Sequence, residues 1–274
     1  MHKHLLMTFS DDPSALYGLQ FVGAFFQNKA EIKFTLLYIA PRTSPVSSQQ
    51  TPNQDEPVCD LALETARQRL MTAGFAEENL LCKVKKRSVS TAKDIIREGN
   101  LGLYDAVILG RRGISRLEEL INDSVSMRAL DEDRISPLWI CRKPELDRKN
   151  VLICIDGSEP SLHIADHVGY MLKGQPGHEV TLFSVIKKGA IGFDQAFDRA
   201  QKALTDNGFP EKQIHRRTQA SSDPAGAIEK EASAGRYAAV AVGHSGENKE
   251  GFFSIGSVSK KLCYTLSGAT LMIG

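Results

Sequence analysis

Two stretches of this 274-residue sequence read as copies of one element: Tyr104-Asp-Ala-Val-Ile-Leu-Gly110-Arg-Arg-Gly113 and Tyr237-Ala-Ala-Val-Ala-Val-Gly243-His-Ser-Gly246. Each is a short apolar run that leads into a loop with two glycines. The similarity extends further, since Gly74-Phe75 matches Gly208-Phe209 and the apolar runs at 5–9 and 151–155 correspond. A match this long is typical of a duplicated domain.

The length suits two domains of common size, each large enough for its own core. We expect them at residues 1–146 and 147–274. The first copy is longer, and its extra segment at 41–57 is polar and rich in proline. Such a composition predicts an exposed loop rather than a buried element.

Composition excludes several classes of protein. The chain is 42% hydrophobic and 24% charged with a net charge of +1, which indicates a globular protein without a basic surface for nucleic acid. It lacks an apolar stretch of roughly 20 residues that could span a membrane. Met1 to His4 lead into a core strand rather than a secretion signal, so we expect a cytoplasmic protein. The cysteines form no CxxC pair and are expected to be reduced and structural: Cys59, Cys82, Cys141, Cys154 and Cys263.

Apolar runs and amphipathic segments alternate along both copies, which predicts parallel sheets covered by helices on both faces. The predicted strands lie at 5–9, 34–39, 80–84, 104–109, 136–141, 151–155, 179–185, 213–218, 237–242 and 269–273. The predicted helices lie at 14–26, 60–72, 159–172, 194–206, 223–233 and 257–266. Hydrophobic last strands would be exposed edges if left alone, so we expect the two domains to pair through them.

Residues suited to a nucleotide follow strands one and four of the second copy. The first strand ends at Asp156, whose carboxylate can accept bonds from sugar hydroxyls or a base amino group. The fourth leads into Gly243-x-x-Gly246, then nine residues, then Gly256-Ser257. Glycines let backbone amides approach a phosphate, and a helix that begins at Ser257 would direct its positive end toward the anion.

At these residues the sequence resembles the universal stress protein family, and specifically its tandem two-domain members. The resemblance rests on Val151-Leu-Ile-Cys-Ile-Asp156-Gly-Ser-Glu and on the loop from Gly243 to Ser259. It implies two Rossmann-like or flavodoxin-like α/β domains, each a five-stranded parallel sheet of order 3-2-1-4-5. It also implies ATP held with little turnover. The site residues it implies are Asp156 and Val185 near the adenosine, and Gly243, Gly246, Gly256, Ser257 and Val258 around the triphosphate.

The first copy departs from this pattern. Ser10 takes the place of Asp156 in an ungapped alignment, although Asp11 and Asp12 follow directly, and Asp123 takes the place of Gly256. Two unit charges about 4 Å apart at an effective dielectric of about 20 repel by about 4 kcal/mol. Arg111, Arg112 and Arg116 offset this repulsion in part. We therefore expect the first site to be empty.

Each of these residues also has a purely structural interpretation. Glycines after a strand serve tight turns, and Asp156 could cap the following helix. His163 and His167 lie four apart on a predicted helix, where a solvated face is the expected explanation rather than a metal site. Trp139 is expected to pack at the junction between the domains.

Two functions of different classes remain open. In the first, the second domain binds ATP, with ADP and AMP not distinguished and Mg²⁺ present only with the nucleotide, and occupancy regulates the stress response through an unknown protein partner. In the second, both sites are vestigial and the protein is an interaction scaffold. The sequence lacks a P-loop and a catalytic His or Glu at the site, so at most a slow ATPase is expected. A homodimer stays open.

Overall fold

The computed structural model describes residues 2–9, 16–40, 56–110, 136–186, 194–244 and 255–274. The strands in these ranges are β1 (Lys3–Phe9), β2 (Ile32–Ala40), β3 (Leu80–Lys86), β4 (Ala106–Leu109), β5 (Leu138–Ile140), β6 (Val151–Cys154), β7 (Val180–Ile186), β8 (Ile214–Ala220), β9 (Ala239–Val242) and β10 (Thr270–Ile273). The helices are α1 (Leu16–Phe25), α2 (Glu56–Thr72), α3 (Thr91–Leu101), α4 (Glu159–Leu172), α5 (Asp194–Asp206), α6 (Pro224–Ala234) and α7 (Ser257–Thr265). Short 3₁₀ turns precede β3 and β8. The predicted alternation of strands and helices is confirmed.

The sequence prediction needs two corrections. Helix α2 begins at Glu56, so the last two residues of the predicted 41–57 loop belong to a helix, and residues 41–55 lie outside the described ranges. Pro57 is compatible with this start because the amide it lacks would have no intrahelical partner in the first turn. Helix α3 was not among the predicted helices.

The strands form one sheet of ten, in the order β3-β2-β1-β4-β5-β10-β9-β6-β7-β8. Residues up to β5, here called the first half, follow the order 3-2-1-4-5, and the second half from β6 onward repeats it. The two expected five-stranded sheets are joined because β5 and β10 pair antiparallel, with Trp139 opposite Met272. All other described pairings are parallel.

Two apolar layers cover the sheet and run through both halves. One lies under α1, α2, α4 and α5, and the other under α3, α6 and α7. The alternation of side chains in β5 shows the division, since Trp139 belongs to the first layer and Leu138 and Ile140 to the second. In the described ranges, no helix combines the length and apolarity needed to cross a bilayer.

Trp139 lies at the junction of the halves, as the sequence predicted. Its side chain is fully buried, and its ring centroid lies 6.0–6.2 Å from those of Phe21, Phe25 and Phe26 of the first half. From the second half, the His167 ring approaches to 5.9 Å. The Trp139 indole Nε1–H donates to His167 Nε2 at 3.1 Å. A single side chain therefore links the cores of both halves.

Each half contains the same polar cluster around a buried glutamate, which we call the polar clamp. It joins a tyrosine before the fourth strand, a glutamate of the preceding helix and a cation of the edge strand. The first-half clamp is Tyr104, Glu98 and Lys83, and the second-half clamp is Tyr237, Glu231 and Arg217. Because a buried carboxylate is costly unless it is paired and hydrogen-bonded, the clamp holds the helix against the edge strand.

Candidate functional site

The ends of β6 and β9 form the candidate site in the second half. The two strands are parallel neighbours, with Ile153 level with Ala241. Asp156 follows β6 by two residues and is exposed, and Gly243 follows β9 directly. In parallel sheets, ligands bind beyond the carboxyl ends of the strands where the winding direction reverses. In the order of this half, that point lies between β6 and β9.

The structure resolves how Asp156 relates to the helix that follows it. Its Oδ1 accepts hydrogen bonds from the Ser158 amide at 3.0 Å and from the Ser158 hydroxyl at 2.6 Å. Ser158 is the N-cap of α4, and its hydroxyl accepts from the Ser161 amide at 3.3 Å. Asp156 therefore orients the capping residue rather than capping α4 itself. The two hydrogen bonds from Ser158 use the same carboxylate oxygen of Asp156.

Gly243 has a packing explanation. A Cβ at this position would lie 2.9 Å from the Pro160 carbonyl carbon and 2.9 Å from the Ser161 amide nitrogen. Any larger residue would therefore push β9 away from the first turn of α4. The Gly243 carbonyl accepts a hydrogen bond from the Ser259 hydroxyl at 2.7 Å, which ties the strand end to α7. Close packing is therefore sufficient to explain why residue 243 is a glycine.

The backbone closes the loop between Gly243 and α7. The Gly256 amide donates to the His244 carbonyl at 2.6 Å, and the His244 amide donates to the Gly274 carbonyl at 2.8 Å. These bonds bring the start of α7 beside the end of β9. The two described ends of the glycine loop therefore meet, while Gly246 lies outside the described ranges.

The first turn of α7 differs from other helix starts in the described part of the chain. Side chains of Ser90, Ser158 and Asp223 cap α3, α4 and α6 by accepting a backbone amide. The N-cap of α7 is Gly256, and no side chain caps this turn. Because the first amides of a helix have no intrahelical acceptor and carry its positive dipole end, this turn can bind an anion.

The residues of this turn have different surroundings. Ser257 is exposed, and its hydroxyl can donate to a ligand. The Val258 side chain is partly buried and packs against the core under α7, and its backbone amide can bond a ligand. Lys261, one turn further, lies 3.1 Å from both carboxylate oxygens of Asp223. The Gly226 amide and then Lys261 hold the pKa of Asp223 below its usual value.

Val185 lies near the end of β7, where that strand extends beyond β6. The described β6–β7 ladder ends at Phe183, whereas β7 pairs with β8 as far as Ile186. Val185 therefore has ladder pairing only on its β8 side, and its backbone can bind a ligand on the other. Its neighbour Ser184 was missed at the sequence level. The Ser184 hydroxyl is buried with no partner in the described residues, and its signal was a serine in a strand that is otherwise apolar apart from Thr181.

The first-half counterpart of this site falls mostly outside the described ranges. Ser10, Asp11, Asp12, Arg111, Arg112, Gly113, Arg116 and Asp123 all lie there, and Gly110 is buried after β4. The expectation of an empty first site therefore stays a prediction.

The expectation of a solvated face for His163 and His167 was wrong for His167. His163 is exposed, but the His167 ring is half-buried against Trp139. Burial lowers the pKa of His167 to about 4, which keeps the ring neutral and able to accept the indole hydrogen bond. No cluster of three or more metal-ligating side chains occurs among the described residues.

The cysteines differ in exposure, and the expectation that they are structural stays a prediction. Cys82, Cys141, Cys154 and Cys263 are free thiols. Cys141 and Cys263 are buried, but Cys82 is exposed on the edge strand β3. Cys59 lies in a part of α2 whose side chains are not described.

The fold and the candidate site define a class: a doubly wound α/β protein with an uncapped helix start at the switch point of its second half. Residues 147–273 match the model of the universal stress protein family. The second half of the chain is therefore a universal stress protein domain.

Two solved structures resemble the whole chain. A universal stress protein from Archaeoglobus fulgidus superposes with a TM-score of 0.65 at 15% identity, covering 98% of this chain and 97% of its own. A functionally unknown protein from Pseudomonas aeruginosa PAO1 gives a TM-score of 0.57 at 15% identity, covering 99% of this chain and 92% of its own. At this identity, the similarity establishes the fold alone. No curated protein matches the sequence significantly.

Proposed function

We propose that the second half binds an adenine nucleotide, ATP in the first instance, and that its occupancy changes how the protein meets a protein partner in the stress response. The chain would then be a tandem of two universal stress protein domains, 1–146 and 147–274, of which only the second binds. The observation that carries this proposal is the closure of the loop by the bond between Gly256 and His244. It sets the uncapped start of α7 beside the end of β9, whose neighbour β6 leads to the exposed Asp156.

The charges of the site indicate which part of the nucleotide would lie at which residues. The phosphates would lie at the first-turn amides of Ser257 and Val258, with Gly243, Gly246 and Gly256 shaping the loop around them. A carboxylate repels phosphate, so Asp156 would face the ribose hydroxyls instead. The Val185 backbone, which has ladder pairing only on the β8 side, would bond the adenine. Any Mg²⁺ would arrive with the nucleotide.

Ser257→Asp tests this assignment without damaging the fold. A carboxylate in the first turn of a helix is favourable, by about 0.3–1 kcal/mol, so the variant should unfold at the same temperature as the parent or slightly higher. The same carboxylate should repel phosphate, at about 4 kcal/mol for charges about 4 Å apart at an effective dielectric of about 20. We expect titration calorimetry with ATP to show at least a hundredfold weaker binding.

Ser90→Asp is the matched control, since it adds the same charge at the start of α3 in the first half, where an N-cap aspartate also suits the helix. It should leave ATP binding unchanged. If the parent protein fails to bind millimolar ATP, the scaffold function with vestigial sites is favoured. If Ser257→Asp binds as well as the parent, the phosphates do not lie at α7.

A further inference from the structure

An ion pair joins two helices at the carboxyl edge of the second half. Lys261 Nζ of α7 lies 3.1 Å from both carboxylate oxygens of Asp223, the residue that caps α6. Helix α6 follows β8 and helix α7 follows β9, and these strands belong to one parallel set. Both helices therefore begin at the same edge of the sheet, which is the edge of the candidate site.

Lys261 is placed beside the uncapped turn of α7. It follows Ser257 by four residues, and residues at this spacing share one face of a helix. Helical side chains lean toward the N-terminus of their helix, so Lys261 extends back toward the first turn. Its contact with Asp223 agrees with this direction, because Asp223 stands at the beginning of α6. A phosphate at the first-turn amides of α7 would therefore have this ammonium group as a neighbour.

The cap of α6 does not require the charge of Asp223. The first-half counterpart α3 has the same length and is capped by the uncharged Ser90, and the two residue types cap about equally well. The second half also has Gly226 where the first half has Lys93. A Cβ at residue 226 would lie 2.5 Å from Oδ2 of Asp223. The second half therefore has room for a carboxylate that faces Lys261.

Lys261 can leave Asp223 at little cost. Their side chains are 48% and 58% exposed, and exposed ion pairs contribute little to stability. Asp223 keeps a partner without Lys261, since the Gly226 amide donates to its Oδ1 at 3.2 Å and the positive end of α6 favours a carboxylate. A polyphosphate carries more negative charge than one carboxylate and would draw the ammonium group to itself.

We propose that Lys261 binds a phosphate of the nucleotide and that Asp223 competes with the nucleotide for this lysine. Asp223 then lowers the nucleotide affinity of the site, and Lys261 favours ligands that carry phosphates over the bare nucleoside. This inference rests on the proposed nucleotide binding at α7, and it names a side chain that regulates that binding.

Variants of the full chain test the competition by titration calorimetry with ATP. Lys261→Met should bind ATP about tenfold more weakly, because a hydrogen bond to a charged group is lost. Asp223→Ser keeps a capping hydroxyl like that of Ser90 and should bind ATP about threefold more tightly, because an exposed ion pair no longer holds the lysine. In the double variant, the change at Asp223 should bring no gain.

Lys260→Met is the matched control. It removes the same charge from the neighbouring position of α7, which lies on a different face of the helix, and it should leave ATP affinity unchanged. Thermal unfolding should show each variant to be about as stable as the parent, since the ion pair is exposed.

The outcomes separate this inference from the proposed function. If the parent binds ATP and Lys261→Met binds it equally well, the inference is wrong and the proposed function stands. An equal gain from Asp223→Ser with and without Lys261 would show that Asp223 acts by repulsion alone. Equal losses from the two lysine variants would show an effect of net charge rather than of contact. A parent that fails to bind millimolar ATP would overturn both proposals.

Discussion

The two halves agree in their interior and differ at their surface. Both have the polar clamp, and both have a glycine before the clamp tyrosine, where a Cβ would lie 2.0 Å from the Tyr104 ring and 2.2 Å from the Tyr237 ring. They differ at exposed positions, where Leu81 and Leu103 stand in one half and His215 and Arg236 in the other. Packing requirements are the same in both halves, so their cores match. Surfaces that meet a ligand or partner are free to diverge.

The largest expected effect is at the junction that the halves share. Trp139→Ala removes the largest fully buried side chain, whose ring contacts both halves. Large-to-small changes of this kind cost about 3–5 kcal/mol in the free energy of unfolding. Urea unfolding followed by circular dichroism measures it, with Leu146→Ala at an exposed position as the control. A loss below about 1 kcal/mol would mean that the halves are held together elsewhere.

The polar clamp should show a smaller effect in each half. Glu98→Gln leaves Lys83 and Lys85 without their carboxylate, and Glu231→Gln does the same to Arg217. Hydrogen bonds to charged groups contribute about 1.5–3 kcal/mol, reduced here because the cations are partly exposed. We expect both variants to lose about 1–2 kcal/mol in thermal unfolding, and the exposed Glu77→Gln to lose less than about 0.5 kcal/mol.

If only one of the two glutamate variants is destabilised, the polar clamp does not stabilise both halves equally. Although burial raises the pKa of Glu98, the hydrogen bonds from Lys83 and Lys85 hold it below its usual value overall. The stabilising contribution of Glu98 is therefore present at neutral pH and is lost as acid protonates the carboxylate.

A still smaller effect concerns pH at the junction. Burial lowers the pKa of His167 from 6.5 to about 4. Between these values the unfolded chain binds the proton and the folded chain does not, so stability falls as pH decreases from about 6.5 to about 4. Thermal unfolding across this range should show a steeper decline for the parent than for His167→Gln, whose amide oxygen can still accept the Trp139 bond. Parallel curves of unfolding temperature against pH would show that burial at the junction does not lower the pKa of His167.

The sequence predicted the strands and several helices because their apolar periodicity is plain, as in Glu159–Leu172, whose bounds are as predicted. The strand order was implied by the family resemblance. Helix α3 was not named among the predicted helices although its equivalent α6 was, and its buried face carries Asp94 and Glu98. Their burial is acceptable only because Ser88 and the edge lysines bind them.

Some features of the site could likewise be predicted from the sequence, and others depend on the tertiary structure. The spacing from Gly243 to Ser257 pointed to a loop that the described backbone does close. The packing reason for Gly243 depends on Pro160 and Ser161, which only the tertiary structure brings near. The burial of His167 depends likewise on Trp139, which is distant in sequence and reaches it across the junction.

The most direct test of the difference between the halves is the stoichiometry of ATP binding to the full chain. Calorimetry should give one nucleotide per chain, and Gly256→Asp, which copies the Asp123 of the first half, should abolish it while circular dichroism remains unchanged. Two nucleotides per chain, or one that survives Gly256→Asp, would contradict the account.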